Sequence, residues 1–378
     1  MKVIMEKRDL YTITTLVHRA ATTKNTIPVL TGLLIEASNN NGLTMTATDM
    51  EIGIKASTNS VEIIEEGTVL VNAHYFSDFI RLLPDGPITL ELNKEKAKLN
   101  IKYGRSSSFI NTYHNYEYPN LPLDTIQKKF SIPQKILKEA LRKTSFATAF
   151  THFRQVFTGV LFDIPKDNTL KIVASDTHRL ACYTYKLEEN LEPFNFIIPT
   201  RTVNELQRIL DDSDESINIG FSGNYVIFSK ENFILLSRLI EGQYPNYEQV
   251  IPTNFTTSLK INTAILMETL ERARTMPTDD KLKIQYVSLT INENEMMVNS
   301  YSEIMGEIEE VIEDITTEGE KDFKIAFNTN YFFDIIKLFA SETEKTDIKL
   351  SGNLGSALIT NPNKDNYLYV LVPLRTSN

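Results

Sequence analysis

Cysteine is nearly absent from this 378-residue chain, and long apolar runs are absent altogether. The only cysteine is Cys182, so no internal disulfide can form, and a reducing compartment is the natural setting. Because no apolar run is long enough for a signal-peptide core or a membrane span, we expect a soluble protein with no membrane partner. Together, these absences predict a cytoplasmic location.

Sequence motifs for nucleotide, metal and catalytic sites are also missing. The chain has no GxxxxGKS/T, GxGxxG, CxxC or HExxH pattern, and its five histidines are scattered, which argues against a metal cluster. The best catalytic candidate is the run SDTHRLACY, which places Asp176, His178 and Cys182 near one another. A nucleophile and its base must meet through fold geometry, so turn hydrogen bonds explain this run better. We predict no catalytic residue, no metal and no cofactor.

Basic residues are also fewer than acidic residues, and the formal net charge is -10. Phosphate binding depends on Lys and Arg, so this charge at first argues against nucleic acid. Residues 1–128 carry 13 basic and 14 acidic residues, residues 129–256 carry 14 and 15, and the remainder carries 12 and 20. The excess acid therefore lies in the last third. The first two thirds can still present a basic face opposite an acidic one.

What the chain does contain is an internal repeat with a period near 127 residues. The segments VLVNAHYFSDFIRLL from Val69, FIIPTRTVNELQRIL from Phe196 and IAFNTNYFFDIIKLF from Ile325 align without a gap. Each predicts a short strand running into a helix, with apolar positions at helical spacing. A second set of predicted helices shares the offsets, and these are headed by Leu10, Leu137 and Leu266.

Alternating hairpins follow this second set of helices, starting at Thr31, Thr158 and Tyr286, and alternating segments also follow the first set. Each third therefore reads helix, strands, helix, strands, which predicts an α+β fold of antiparallel sheets. A chain of this length exceeds one ordinary core, and the repeat sets three similar domains at 1–128, 129–256 and 257–378. Their short polar junctions predict a semi-rigid arc.

The arc predicts an association between two chains. A repeated rotation either closes or makes a filament, and sheets at the two ends of an arc leave edges that must be capped or paired. A head-to-tail homodimer would pair them and close a ring. The predicted edges are a strand at 105–112 and one near 296–312, with Phe109, Ile110, Thr275 and Met276 at the seam. The alternative is that these residues close their own domain cores.

Basic residues recur on the predicted helices of all three thirds. Taken singly, each is more often a solubilising residue, but recurrence at equivalent places predicts a cationic lining that contacts phosphates without reading bases. The residues are Arg19, Lys24, Lys135, Lys138, Arg142, Lys143, Arg272 and Arg274 on one set of helices, and Arg81, Arg201, Arg208 and Lys337 on the other.

Four runs carry a resemblance to a known family: SDTHRLA at 175–181, EGQYPNYEQVIP at 241–252, AFNTNYFFD at 326–334 and YVLVPLR at 369–375. With them, residues 1–375 resemble the bacterial DNA polymerase III beta subunit, the replicative sliding clamp. The resemblance implies three similar domains and a head-to-tail homodimeric ring with helices lining its hole. It also implies encirclement of DNA, without a metal cofactor.

The resemblance further implies a hydrophobic pocket between the second and third domains that receives short peptides from polymerases and other partners. Thr177 stands where a Gly is common, and residues 376–378 extend beyond the usual end, which would reshape the pocket mouth. Alternatively, Leu180, Val250 and Val372 are ordinary core residues. The pocket residues carried over are Arg154, Phe157, Ser175, Thr177, His178, Arg179, Leu180, Pro245, Val250, Tyr331, Ser356, Val370, Val372, Pro373, Leu374 and Arg375.

DNA contacts carried over by the same resemblance are fewer. Lys24, in TKNTIPVL, matches a basic loop residue that faces DNA, while His74, Thr151, Gln155 and Val156 occupy matched positions with altered chemistry. The implied partners are duplex DNA without sequence specificity, a second copy of the chain, DNA polymerase III alpha and other DNA polymerases, the clamp loader complex, and repair and ligation enzymes that carry clamp-binding peptides.

Two rival interpretations stay open. An enzyme built from three repeated domains would need Asp176 and His178 to act in catalysis, so replacing His178 would abolish a turnover. A non-encircling scaffold would bind partners through the same pocket without capturing DNA topologically. Ring closure separates the clamp from the scaffold.

Overall fold

The computed structural model describes residues 1–23, 27–114, 117–123, 126–277, 284–321 and 323–375. The helices in these ranges are α1 Lys7–Val17, α2 Ala73–Leu82, α3 Gln134–Thr144, α4 Thr200–Ile209, α5 Thr263–Ala273 and α6 Thr329–Ala340. The strands are β1 Lys2–Glu6, β2 Gly32–Ser38, β3 Gly42–Thr48, β4 Ile52–Thr58, β5 Glu62–Glu65, β6 Gly67–Asn72, β7 Pro87–Asn93, β8 Lys98–Tyr103, β9 Ser106–Asn111, β10 Gln127–Pro133, β11 Gly159–Ile164, β12 Thr169–Ser175, β13 Arg179–Lys186, β14 Phe194–Pro199, β15 Ser216–Ser222, β16 Tyr225–Lys230, β17 Phe233–Arg238, β18 Thr257–Asn262, β19 Tyr286–Ile291, β20 Met296–Ser302, β21 Gly306–Ile312, β22 Ile315–Gly319, β23 Phe323–Asn328, β24 Lys345–Leu350, β25 Ala357–Thr360 and β26 Tyr367–Leu371.

The predicted α+β fold of antiparallel sheets is confirmed. The chain divides into two compact units, and the first comprises residues 1–138 and 201–239. It contains a five-stranded sheet, β5-β1-β7-β8-β9, and an eight-stranded sheet, β10-β15-β16-β17-β4-β3-β2-β6. In the larger sheet β17 pairs with β4, so strands from the first two thirds of the sequence share one continuous ladder.

The second unit comprises residues 139–200 and 240–378. Its nine-stranded sheet has the order β14-β11-β12-β13-β26-β25-β24-β18-β22, and its four-stranded sheet has the order β21-β20-β19-β23. Here β13 pairs with β26, which joins strands of the second and last thirds. Each of these pairings satisfies backbone groups that would otherwise lie at a sheet edge. The proposed boundaries near residues 128 and 256 stay a prediction.

The threefold repeat of helices is confirmed by burial. Leu10, Leu137 and Leu266 are fully buried, as are the equivalent residues of the other set, Phe76, Val203 and Phe332. Asparagines cap three of these helices: the side chains of Asn72, Asn262 and Asn328 accept hydrogen bonds from backbone amides of the first turn. Such caps satisfy helix donors that have no intrahelical partner.

The predicted hairpins and edge strands are present as well. The pairs β2–β3, β11–β12 and β19–β20 are antiparallel neighbours in register. Within the described part of the chain, β9 ends the five-stranded sheet and β21 ends the four-stranded sheet. These strands fall in the two segments predicted as edges, 105–112 and 296–312.

Candidate functional site

An apolar cleft of about 480 Å³ opens in the second unit, beside the start of β13 and the end of β26. Its base is a hydrophobic cluster that includes Phe157, Leu180, Tyr244 and Val370. The ring of Phe157 meets that of Tyr244 edge to face at 5.6 Å between centroids. The lining residues are Phe157, Ser175, Thr177, Arg179, Leu180, Tyr244, Pro245, Asn246, Tyr247, Gln249, Val250, Pro252, Ser356, Val370 and Val372.

One edge of the cleft is the tight turn between β12 and β13. The Ser175 hydroxyl donates to the Arg179 carbonyl at 2.7 Å and accepts from the Thr177 amide at 3.1 Å. Oδ1 of Asp176 accepts from the amides of His178 and Arg179, both at 3.0 Å. Thr177 has φ 76°, in the left-handed region that a β-branched residue adopts only with strain. A glycine would adopt this region without that strain.

Arg179 is the charged group of the cleft, and four contacts fix its position. Its Nε donates to Asp176 at 3.0 Å, and its terminal nitrogens donate to Asp334 at 2.8 Å and to the Phe146 carbonyl at 2.5 Å. The guanidinium also lies over the Tyr331 ring, 4.0 Å from its centroid. Residues from a turn and from α6 therefore hold one cation at the edge of an apolar space.

The charge on Arg179 is secure despite its burial. Burial by itself would lower the pKa of the guanidinium, but the nearby Tyr369 and the Asp176 carboxylate outweigh this effect, so the pKa is raised. Burial raises the pKa of Tyr244 and of Tyr247, whose hydroxyl donates to Asp163 at 2.7 Å. The cleft thus combines neutral phenols, apolar walls and a permanent cation, which suits an apolar ligand with a polar or acidic neighbour.

Several residues predicted for the pocket lie outside its lining. Tyr331 lies beneath Arg179, and His178 is exposed, with its carbonyl accepting from the Val372 amide at 3.0 Å. The Arg154 guanidinium lies 5.6 Å from the Phe153 ring centroid. Pro373 and Leu374 are half-buried and Arg375 is exposed, just beyond β26.

Sequence reasoning missed five of the lining residues. All of them belong to the run YPNYEQVIP, of which only Pro245 and Val250 had been selected. The signal was the run itself, because its aromatic residues and prolines follow β17 without strand or helix periodicity, as in a loop that lines a site. The residues missed are Tyr244, Asn246, Tyr247, Gln249 and Pro252.

Residues predicted to contact DNA have different exposures. Thr151 and Gln155 are exposed, and His74 is half-buried with its Nε2 3.2 Å from the Ala21 carbonyl oxygen. Val156 is buried in the hydrophobic cluster, so its side chain offers no surface to a ligand. Lys24 and the extension 376–378 lie outside the described residues.

The predicted cationic lining is mostly paired with carboxylates. The prediction is corrected for Lys143, because its side chain is buried and its Nζ lies 2.8 Å from a Glu139 carboxylate oxygen and 2.7 Å from a Glu342 carboxylate oxygen. Glu205 pairs with both Arg208, at 2.7 Å, and Arg19, at 3.8 Å. Further partners are Asp78 for Arg81, Asp214 for Lys135, Asp212 for Lys138, Glu342 for Arg142, Asp49 for Arg201 and Glu310 for Arg272.

Two of the residues predicted for a dimer seam, Phe109 and Ile110, are neighbours on β9 and therefore face opposite sides of its sheet. Phe109 is half exposed, with the Lys98 ammonium 3.6 Å from its ring centroid, whereas Ile110 is buried in its own unit. For Ile110 the structure therefore favours the alternative of an ordinary core residue. Thr275 is exposed and Met276 is half-buried, at the end of α5.

The Asp176–His178–Cys182 run does not form a catalytic arrangement. Asp176 is engaged by backbone amides and by Arg179, His178 points to solvent-exposed surface, and Cys182 is buried on β13. Burial raises the pKa of the Cys182 thiol to about 12, which disfavours the nucleophilic thiolate. Among the described residues, no group of three His, Cys, Asp or Glu side chains could hold a metal ion.

None of the helices in the described part of the chain combines the length and the apolar character needed to cross a membrane.

Repeated helix-and-sheet elements, with an apolar cleft and a fixed guanidinium at its edge, fit a binding protein of the sliding-clamp class. Models of the N-terminal, central and C-terminal domains of the DNA polymerase III beta subunit match residues 1–122, 131–246 and 248–375. The chain belongs to the DNA polymerase III beta subunit family. It is a DNA sliding clamp, a processivity factor of DNA replication that works with DNA and DNA polymerase.

Relatives and solved structures agree with this assignment over the full length. The beta sliding clamp of Halalkalibacterium halodurans is 31% identical over 370 residues, covering 95% of this chain and 96% of the relative. The DNA polymerase III beta chain of Streptococcus pneumoniae has a TM-score of 0.92 at 27% identity, covering 99% and 100% of the two chains. A sliding clamp from Pseudomonas aeruginosa bound to griselimycin has a TM-score of 0.91 at 26% identity, covering 100% of both.

Proposed function

We propose that two copies of this chain associate head to tail into a ring around duplex DNA, and that each copy tethers DNA enzymes through the cleft at Arg179. The observation that carries the proposal is the cleft itself, an open apolar space edged by a fixed cation. Tethering requires binding and geometry, with no bond made or broken. We therefore propose a protein without catalytic chemistry, with domains at 1–128, 129–256 and 257–378.

The ligand of the cleft is a short peptide from a partner enzyme. Val250 and Val372 are 55% and 38% exposed while lining an apolar space, which supports a ligand-binding role over an ordinary core role. An apolar anchor side chain would displace water from these surfaces, and Arg179 would pair with a polar or acidic neighbour of the anchor. Leu180, buried beneath them, forms the wall against which the anchor packs.

Ring closure would pair the edge strands β9 and β21 of two chains. Both end their sheets among the described residues, so their outer backbone groups have no strand partner there. Phe109, on β9, would add apolar contact, with Thr275 and Met276 opposite. Main-chain hydrogen bonds would give such a seam its register, as in strand addition generally.

Duplex DNA is bound without sequence specificity. Lys24, His74, Thr151 and Gln155 stay candidates for contacts to the DNA backbone. Helix cations whose carboxylate partners are exposed are further candidates, because a phosphate could recruit them; these are Arg81, Lys135 and Lys138. Proposed protein partners are DNA polymerase III alpha, other DNA polymerases, the clamp loader complex, and repair and ligation enzymes with clamp-binding peptides. The proposed location is the cytoplasm.

Retention on DNA tests encirclement directly. The protein is loaded on a nicked circular plasmid by an active clamp loader, washed at high salt, and measured before and after a restriction enzyme linearises the circle. Salt weakens ordinary phosphate contacts steeply, whereas a topological link survives. We expect retention on the circle and release from the linear product.

Loss from the intact circle at high salt, with a loader shown to be active on a reference clamp, would refute encirclement and favour the non-encircling scaffold. A reference clamp carried through the same wash provides the positive control. Retention on both circle and linear DNA would instead indicate tight ordinary binding.

A further inference from the structure

The turn that edges the cleft occurs a second time, in the first unit. Thr48 accepts from the Met50 amide at 3.0 Å and donates to the Ile52 carbonyl at 2.9 Å. Oδ1 of Asp49 accepts from the amides of Glu51 and Ile52 at 3.0 and 2.9 Å. Met50 has φ 78°. Every one of these bonds has its counterpart in the turn from Ser175 to Arg179.

The strands around this second turn also match those of the cleft. Gly53 lies opposite Leu236 in the β4–β17 pair, and the Arg238 amide donates to the Glu51 carbonyl at 2.8 Å. In the cleft, Leu180 lies opposite Val370 and the Val372 amide donates to His178. The phenol of Tyr118 accepts from the Thr48 amide at 3.1 Å.

The two turns differ at the residue that forms the cleft wall. Gly53 takes the place of Leu180, and a Cβ atom at Gly53 would lie 2.6 Å from Cδ2 of Leu121. The Leu121 side chain therefore lies directly on the β4 backbone, in space that a side chain at position 53 would need. Leu121 follows the YPN run at 118–120, just as Tyr247 follows the YPN run at 244–246.

We propose that the first unit contains a second peptide cleft of the same construction, which Leu121 fills in cis. Its ligand class is an extended peptide segment with a leucine-type anchor, the chemistry of the side chain that occupies it. As long as Leu121 lies on Gly53, an external peptide finds no opening at this second cleft. That the cleft at Arg179 binds peptides rests on the proposed function, whereas the filling of the second cleft does not.

Peptide binding to a Leu121→Ala variant tests the proposal. The probe is a fluorescent peptide with the sequence of residues 117–123, and Val372→Asp is introduced throughout to block the cleft at Arg179. With Leu121 intact we expect no binding by fluorescence anisotropy. With Leu121→Ala we expect one new site per chain, at least tenfold tighter than any binding to the matched control Leu123→Ala. Equal binding to the two alanine variants would overturn the proposal.

A double-mutant measurement keeps the proposal testable if Leu121→Ala is poorly folded. Gly53→Ala places a Cβ against Leu121, so we expect a lower urea midpoint and faster protease cleavage within 117–123. Adding Leu121→Ala removes the collision, and the midpoint should rise above that of Gly53→Ala alone. Strictly additive effects of Gly53→Ala and Leu121→Ala on the midpoint would show that Leu121 does not fill this space. If the cleft at Arg179, in a chain without Val372→Asp, did not bind a partner peptide, that result would contradict the proposed function and would not bear on whether Leu121 fills the second cleft.

Discussion

At the scale of single residues, the cleft depends on side chains placed against their usual preference. Arg179 is buried but keeps its charge through Asp176, Asp334 and the Tyr331 ring. Removing one partner of a buried charge costs more than the pair itself contributes, so Asp176 is needed for positioning. Val250 and Val372 show the reverse case, because they are apolar and exposed at the mouth.

Val372→Asp should weaken binding of a partner peptide. The variant places a charge on an apolar wall, which a bound anchor would have to desolvate, so we expect affinity to fall about tenfold or more, or roughly 1.4 kcal/mol. Fluorescence anisotropy with a peptide from a DNA polymerase measures this. Leu82→Asp, on an exposed apolar residue of the first unit, is the matched control and should bind normally. Unchanged affinity of Val372→Asp would argue against the cleft.

Thr177→Gly should stabilise the second unit. A non-glycine residue in the left-handed region destabilises the folded state by on the order of 1–3 kcal/mol. Glycine removes this strain, but its unfolded chain has more conformational entropy to lose, so we expect a net gain in stability of about 1 kcal/mol. Urea unfolding measures the gain. Met50→Gly, at the equivalent position with φ 78°, should gain less because methionine is not β-branched. A loss of stability in Thr177→Gly would contradict the assignment of strain.

At the scale of elements, the edge strands are the feature that favours association between two chains. In each unit one sheet continues across segments distant in sequence, through β4–β17 and β13–β26, while β9 and β21 end sheets of the described chain. An exposed edge invites pairing with another chain unless charge or proline protects it. β9 carries the half-exposed Phe109 and no charged residue within Ser106–Asn111.

Phe109→Asp should shift the proposed dimer toward monomer. A carboxylate would be desolvated in an apolar seam, and we expect the dimer dissociation constant to rise at least tenfold, about 1.4 kcal/mol. Lys98, which lies against the Phe109 ring, can pair with the new carboxylate and so preserve the fold. Sedimentation velocity measures the mass, with Ile64→Asp on the opposite edge strand β5 as the control. If both variants remain dimeric, the seam lies elsewhere.

At the scale of the whole molecule, charge is balanced locally. The net charge is -10, yet basic residues recur on the helices, and most of them face a carboxylate of the same chain. Glu205 is buried, whereas the Asp212 partner of Lys138 is exposed. Exposed ion pairs contribute little to stability, so a phosphate could compete at a small free-energy cost for the cations whose carboxylate partners are exposed. Few unpaired cations also mean that few counterions are released when DNA binds.

Affinity for linear DNA without the loader should therefore fall less steeply with salt than it does for a protein with many free cations, although high salt still removes this binding. We expect the logarithm of affinity to fall with that of salt concentration with a slope of about -3 or shallower. Glu205→Gln, which frees Arg19 and Arg208 from a shared carboxylate, should steepen the slope by about one to two. Anisotropy of a labelled duplex at several salt concentrations measures both slopes. Glu248→Gln, which frees only Lys171 in the second unit, serves as the control. An equal slope for Glu205→Gln and the unaltered protein would exclude these arginines from the DNA surface.

The order of residues along the chain was enough to predict the threefold helix pattern, the hairpins and the absence of an internal disulfide, whereas most of the cleft residues were predicted from the resemblance to the clamp family. The helices and hairpins could be predicted because apolar spacing and turn chemistry act over a few residues. The runs SDTHRLA and YPNYEQVIP instead pointed to the cleft through their likeness to the family. Long-range packing had to be seen before it was clear that Tyr244 and Tyr247 line the cleft, that Val156 and Lys143 are buried, and that Leu121 lies on Gly53. Such outcomes depend on which strands pair across distant segments, and no single run of residues encodes that pairing.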